Sequence, residues 1–481
     1  ASATIDRIDA ADAVLVIGCD LNAEATGVEY RVIRAATKGD ATLVLANLRD
    51  VKLKKFANLH LKYRPGGEVH LLNGIVKAFL DGGVEDGEFV GTRTEYLDKL
   101  KKDTDSLTLD DLADGAGVAA SDLRETARLL GGGKSIAVIF GADLMRSAYP
   151  RQAMEALINL ALITGAMGKD AGGFFPIHEK NNIQGMLDMG AAPDTLPGRQ
   201  GNTVRGKNLW EIIEAVEQGS VKALYVIASD LLSFPDNERI RKALSRLDLL
   251  IVQEIFPTET ARLAHVLLPG ATAAEKSGSF TTIDNRVQTF VRAIRPPGGA
   301  RDDWEILSEL YSRIALTRHV GSKSEILQEI GKAVDGYEGV REFGDGVGTV
   351  VCKGNIRSPG DRYEFARASL PEIPVMDGGA RLLVGPILFH SGTTTTWSAN
   401  NLTVAPDGYI EIFTADADRL GIADDNTIKL SAVNGCIIGK ARVTNRLQAG
   451  LLFAPSHFRD LNANSLLEGS CNLVGVQVEK V

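Results

Sequence analysis

The sequence predicts an α/β protein: two doubly wound units with parallel sheets, then a small closed β-barrel. Three observations predict it. Short apolar runs end in Gly or an acidic residue, as strands buried on both faces do. Stretches of helical spacing separate those runs. In residues 376–481 the pattern changes to short strands at close intervals.

The first unit opens with AVLVIGCD (Ala13–Asp20) as a buried strand. A helical stretch, EYRVIRAATKGD, leads to a second strand in ATLVLANLRD and a third in ANLHLKYRPGGE, which breaks at Pro65-Gly66-Gly67. VHLLNGIVKAFLDGG is an amphipathic helix stopped at Gly82-Gly83. Strand, helix, strand in succession implies crossover connections and a parallel sheet. The spacing places the start of a second α/β unit at SIAVIFGAD (Ser135–Asp143), followed by a long helix closed by Gly168 and a polar loop to Gly206. ALYVIASD, LLIVQEIF and HVLLPGA supply further strands, and Ala300–Pro374 reads as covering helices and a linker. RLLVGPILFH, GYIEIF, NTIKLSAV, CIIGKARVT and GLLFAPSHF read as barrel strands. The expected domains are 1–134, 135–375 and 376–481.

The 481 residues are 44% apolar and 24% charged, ordinary for a globular chain of several domains. A net charge of −9 argues against a nucleic-acid partner, because phosphate neutralisation needs a positive field. No apolar run reaches the ~20 residues of a membrane helix, so any membrane association is expected through partners. The chain starts at Ala1 without Met and runs straight into structure, which reads as a piece of something longer. Cys19, Cys352, Cys436 and Cys471 are scattered, with no spacing for a cluster or zinc. Seven dispersed histidines suggest no metal site. LGGGKS lacks the first Gly of a phosphate loop, since Arg128 stands there, and neither G-x-G-x-x-G, H-E-x-x-H nor G-x-S-x-G occurs.

Three long passages, in order, carry a resemblance: Glu179–Gly198 (EKNNIQGMLDMGAAPDTLPG), Ile251–Gln288 with RPPGGARDDWEIL after it, and the barrel with FHSGTTTTWSANNL, ARVTNRLQAG and FAPSHFRDLNANSL. They resemble the molybdopterin-dependent oxidoreductase family, and the likeness extends to ADAVLVIGCDLNAEA and HLKYRPGGEVHLLN. Formate dehydrogenase catalytic subunits and the large peripheral subunit of NADH:quinone oxidoreductase are the most similar branches. The resemblance implies two Rossmann-like domains and a double-psi-type barrel that cradle pterin guanine dinucleotides. It places Gly18, Gly141, Asn182, Gln184, Gly185 and Asp230 at strand ends or loops facing such a ligand. In the barrel it places His390, Ser391, Gly392, Thr393 and Asn464 there. Asn182 and Gln184 have an alternative use as loop-bracing amides, and Gly18 as a plain turn.

Departures accompany the resemblance. His178 stands where an Arg is usual, and the strand ends read Gly18-Cys19-Asp20-Leu21 and Asn47-Leu48-Arg49 instead of Gly-x-Asn-Pro and Asp-Pro-Arg. Glu68 closes Arg64-Pro65-Gly66-Gly67-Glu68 where Arg-Pro-Gly-Thr-Asp is usual. The metal ligand and iron–sulfur ligands of the family lie upstream of the segment matched, so no catalytic or metal residue is expected here. The first expectation is a piece of a respiratory complex subunit whose molybdopterin fold is a platform with a decayed site and no cofactor of its own. It would work with other subunits, in the cytoplasm, peripheral to the inner membrane. The alternative is a fragment of a formate dehydrogenase-like enzyme that holds molybdopterin guanine dinucleotide. A free-standing nucleotide-binding module is the third and weakest reading.

Overall fold

The computed structural model describes residues 3–132, 134–169, 171–316, 321–340, 349–350, 362–373 and 379–481. The chain forms two compact units, residues 1–179 with 357–481, and residues 180–356.

The first unit is built on a parallel sheet of β1 (Ala13–Ile17), β2 (Thr42–Asn47), β3 (Leu59–Lys62), β4 (Ile136–Phe140) and β5 (Gly173–Pro176). The order is β3-β2-β1-β4-β5. Every residue of β1 and β4 is buried, which explains their unbroken apolar character. Its helices include α1 (Leu21–Glu24), α2 (Thr26–Lys38), α3 (Glu68–Gly82), α4 (Leu109–Ala116), α5 (Ala120–Leu130), α6 (Ala142–Met145) and α7 (Pro150–Ile163). Helix α3 ends on Gly83 in the left-handed region (φ 59°), the Gly stop the sequence predicts.

The expected boundary near residue 134 does not coincide with the division between these units. SIAVIFGAD pairs with β1, Ala13 beside Ile136 through Ile17 beside Phe140, so it belongs to the first sheet. Its sequence shows a strand buried on both faces but not which neighbour it takes.

In the second unit α8 (Ile183–Asp188) and α9 (Leu209–Glu217) precede β6 (Ala223–Ile227). Then come α10 (Asn237–Leu244), β7 (Leu249–Glu254) and β8 (Val266–Pro269), and the three strands make a parallel sheet with β7 in the middle. A hairpin follows, β9 (Gly278–Thr281) with β10 (Arg286–Phe290). Helices α11 (Asp303–Ala315) and α12 (Lys323–Ala333) are the covering helices expected there. The linker expected up to Pro374 falls largely outside the described residues.

The closed barrel has six strands: β11 (Ala380–Gly385), β12 (Tyr409–Phe413), β13 (Thr427–Ala432), β14 (Gly435–Thr444), β15 (Leu451–Pro455) and β16 (Leu473–Lys480). Pairs β11/β15 and β12/β14 are parallel, and the rest antiparallel. Strand β16 lies beyond the barrel runs read from the sequence, and it closes the barrel against β11 and β13. Alternation explains why barrel and first sheet form one unit. Leu382, Val384, Leu452 and Ala454 fill the barrel core. Leu383, Leu451 and Phe453, on the opposite face, join the core of the α/β layer.

Candidate functional site

In an open parallel sheet a ligand approaches the carboxyl ends of the strands where the strand order reverses. Here that point lies between β1 and β4, which end in Gly18 and Gly141. Both glycines are required by close approach. Gly18 has φ +63°, and a Cβ on it would lie 2.8 Å from Leu144 Cγ. A Cβ on Gly141 would lie 2.3 Å from the Cβ of Cys19. The backbone amides are used internally. Gly18 donates to the Ala46 carbonyl (3.0 Å), Gly141 to that of Ile17 (3.3 Å) and Asp143 to that of Gly18 (3.1 Å).

Several residues read from the sequence as departures lie here, and some of them bond to one another. Asn47 Nδ2 donates to the Cys19 carbonyl at 2.7 Å, and its Oδ1 accepts from Leu48 N–H at 2.9 Å. Asp20 caps α1 by accepting from Asn22 N–H (3.2 Å), and its other oxygen takes the Arg49 guanidinium at 3.1 Å. Arg49 also lies 4.1 Å over the Phe453 ring of the barrel. Glu68 Oε1 accepts from Gly66 N–H at 3.1 Å. Two of these contacts join one unusual strand end to the other, Asn47 to the Cys19 carbonyl and Arg49 to Asp20.

Three carboxyl groups converge beside this point. Glu68 is buried, while Glu24 and Asp143 are partly buried. Glu24 Oε1 accepts from Asp20 N–H (2.7 Å), and Asp143 Oδ1 accepts from Asn472 Nδ2 of the barrel (2.7 Å). Burial, with the neighbouring Asp143 charge, pushes Glu24 well above the usual carboxyl range. Burial raises Asp143 as well, against the pull of Arg49. It lifts Glu68 to about 7. Cys19, fully buried among these acids, has its thiol pushed up, and so does the Tyr63 hydroxyl.

Alongside lies a cavity of about 340 Å³ whose lining includes Asp20, Arg49, Phe389, Tyr409, Arg442 and Arg446. Arg442 stacks 3.5 Å over the Tyr409 ring. Arg446 Nε donates to the Asp50 carbonyl (3.2 Å), and its Nη1 is 3.5 Å from Glu411. Three guanidinium groups make this the place where the first unit is suited to an anionic, partly flat ligand.

Of the barrel residues singled out by resemblance, His390 to Thr393 follow directly on Phe389 of the cavity lining, and none of the five lines the cavity itself. His390 is 2% exposed, edge-on to Phe458 (4.5 Å between centroids), with Nδ1 2.6 Å from Thr395 Oγ1. Burial lowers its proton affinity. Ser391 is partly buried, Gly392 N–H donates to Thr395 Oγ1 (3.2 Å), and Thr393 begins the short turn Thr393–Trp397. Asn464 Nδ2 donates to the Ser456 carbonyl at 3.3 Å.

In the second unit Asn182, Gln184 and Gly185 come together, braced internally. Asn182, at φ +58°, accepts from Thr281 N–H at 2.9 Å, and a Cβ on Gly185 would lie 2.3 Å from that Oδ1. Gln184 Nε2 donates to Asp188 at 3.1 Å. Asp188, 1% exposed, also accepts from Arg199 Nε (2.9 Å) and the Tyr337 hydroxyl (2.7 Å), and Tyr337 pairs with Thr281 (2.9 Å). Asp230 is apart from this group, accepting from Thr260 N–H (3.1 Å) and Oγ1 (2.7 Å).

A pterin dinucleotide meets two different receptions in the first unit. The strand ends between β1 and β4 do not fit it. The amides of Gly18, Gly141 and Asp143 are spent, Cys19 fills the space against Gly141, and the groups beside them are carboxyls, which offer a phosphate no positive charge. The cavity is the better match to an anionic nucleotide end, although Arg49 is already paired with Asp20 and Arg446 with Glu411, and Asp407 also lines it. Sequence reasoning named Asp20, Arg49 and Glu68 only as departures, and it missed Glu24, Asp143, Tyr409, Arg442, Arg446 and Asn472. The Asp20-x-x-x-Glu24 spacing was a usable capping signal. The Asp143–Asn472 bond spans 329 positions and left no local trace.

Among the described residues no group of three or more His, Cys, Asp or Glu is arranged to hold a metal ion, and no helix is long and apolar enough to cross a membrane.

Residues 1–313 match the family model for molybdopterin oxidoreductase, and residues 388–477 that for the molydopterin dinucleotide binding domain. The chain is 52% identical to NADPH-Fe(3+) oxidoreductase subunit alpha of Geobacter sulfurreducens, over 100% of this chain and 57% of that protein. It is 32% identical to F420-dependent formate dehydrogenase subunit alpha of Methanocaldococcus jannaschii, over 96% of this chain and 74% of that one. It is 30% identical to a subunit of the NADH-quinone oxidoreductase of Rhizobium meliloti, over 96% and 54%. The chain thus spans little more than half the length of the first and third of these proteins. Acetylene hydratase from Pelobacter acetylenicus shares the fold, with a TM-score of 0.83 at 17% identity, covering 100% of this chain and 81% of that one. The chain belongs to the molybdopterin oxidoreductase family.

Proposed function

We propose that this chain is the molybdopterin-fold body of one subunit in a multi-subunit, nicotinamide-linked oxidoreductase, and that the fold serves there as a structural platform. The observation that carries the reading is the closed state of the strand ends between β1 and β4. The amides of Gly18, Gly141 and Asp143 are all bonded within the protein. The 52% likeness to an NADPH-Fe(3+) oxidoreductase alpha subunit and the 30% likeness to an NADH-quinone oxidoreductase subunit support a nicotinamide-linked complex of several subunits. Partner subunits, and a cytoplasmic place on the inner face of the membrane, belong to the same reading.

A second reading is favoured by the cavity at Arg49, Arg442 and Arg446. A bound pterin dinucleotide would bring two-electron redox chemistry at its metal. This chain's part would be to hold its phosphates with those three guanidinium groups and its flat base beside the Arg442–Tyr409 stack. Metal and pterin analysis of the full-length subunit, purified with its partners from its native source, separates the two. The platform reading expects neither molybdenum nor tungsten in stoichiometric amount. One metal per chain together with released pterin would overturn it.

A further inference from the structure

Glu24, Glu68 and Asp143 come from three separate stretches of the first α/β layer; at the seam with the barrel Asp143 is bonded to Asn472, Glu24 Oε2 lies against Gly141 two residues before it, and both glutamates feel the Asp143 charge. None has a salt-bridge partner within 4 Å among the described residues. The cations that face them are engaged elsewhere. Arg49 is paired with Asp20, Arg146 with Glu179, and Arg381 of β11 donates to the Pro65 carbonyl. The other groups around them include Asp20, Glu179, Cys19, Cys471 and the Asn472 amide, none of which brings positive charge, while Arg64 stands behind Arg381. Among the described residues, two shielded polar atoms in this place find no protein partner: Tyr63 Oη, on a residue with no exposed surface, and Glu24 Oε2. Tyr63 lies close enough to Glu68, Asp143 and Cys19 for their charges to oppose its ionisation.

A buried carboxylate without a cation is costly, and holding a proton removes that cost. A protonated carboxyl is also a donor, so it can serve an acceptor that a carboxylate cannot. We propose that this seam is a proton-binding site, in which Glu24, Glu68 and Asp143 together hold at least one proton at neutral pH, with Tyr63 Oη and Glu24 Oε2 bridged by buried water. The alternative occupant of such an acidic place is a metal cation, and the described residues show no arrangement suited to one. The site stands independently of whether the nearby cavity holds a nucleotide.

Infrared spectroscopy of the full-length subunit, with Glu and Asp 13C-labelled at the carboxyl carbon, tests this directly. At pH 7 the expected result is a protonated-carboxyl C=O band that shifts with the label and bleaches as the pH is raised. Glu24→Gln should lose at least half of it, and Glu68→Gln a further part. Absence of the band at pH 7 in the unaltered protein overturns the proposal, as does a band of full size in both variants. A band abolished by sodium, potassium, magnesium or calcium at constant ionic strength, with a raised melting temperature, also overturns it in favour of a cation. Should Glu24→Gln fail to fold, the pH titration of the unaltered protein and the Asp143→Asn variant decide the matter.

Discussion

The two units each bury a polar network, and the networks are built on opposite plans. Around Asp188 a single acid is matched by a guanidinium, a hydroxyl and an amide, and the neighbouring Asn182 and Thr281 are bonded in turn. At the seam of the first unit three acids meet without a cation of their own, while the nearby guanidinium groups pair elsewhere. Satisfied networks rigidify a fold, whereas unbalanced ones are places where a protein stores charge, protons or ligand. The second unit's asparagine-glutamine loop is braced internally, whereas the first unit's seam holds shielded polar atoms, Tyr63 Oη and Glu24 Oε2, that find no partner among the described residues.

The largest expected effect tests the architectural half. Asp188→Ala removes the acceptor of three bonds and leaves a buried tyrosine hydroxyl behind, at a cost of about 3 kcal/mol, read from denaturant unfolding. An unchanged midpoint would show that the network is ornamental. Next, Gly141→Ala drives a methyl into Cys19 and should cost about 1–3 kcal/mol. Combining it with Cys19→Gly should cost less than the two single changes added, a non-additivity that simple loss of glycine freedom would not give. Tyr337→Phe deletes one hydroxyl from the Asp188 network for about 1 kcal/mol. The seam is tested by pH and not by a single loss of stability. Glu68 gives up its proton at 4.5 when unfolded and at about 7 when folded, so the folded chain holds more protons between these values. Its stability contribution is whole below pH 4.5 and is lost as pH rises through about 7. A thermal midpoint that rises over that interval, or one whose slope is unchanged in Glu68→Gln, would break the contrast.

Much of this was legible in the chain itself. Unbroken apolar strands, the Gly stop after α3 and the tight strand spacing of the barrel are local consequences of burial and turn chemistry. Family passages located Gly18, Gly141 and the Asn182–Gly185 loop. The departures at Cys19-Asp20, Asn47-Leu48-Arg49 and Glu68 were visible too, but singly each looked like decay. Only their proximity shows that Asn47 serves the Cys19 carbonyl and Arg49 serves Asp20.

The linear order of residues determined which segments are strands, which are helices and which loops are polar, because these follow from periodicity of two or 3.6 and from Gly, Pro and Asn at turns. Tertiary structure alone decided that the strand at Ile136–Phe140 joins the first sheet, that Leu473–Lys480 closes the barrel, and that acids from three distant stretches share one seam. The reason is physical: a strand's burial is written in its own side chains, but its partner is chosen by hydrogen bonds and packing with residues far along the chain.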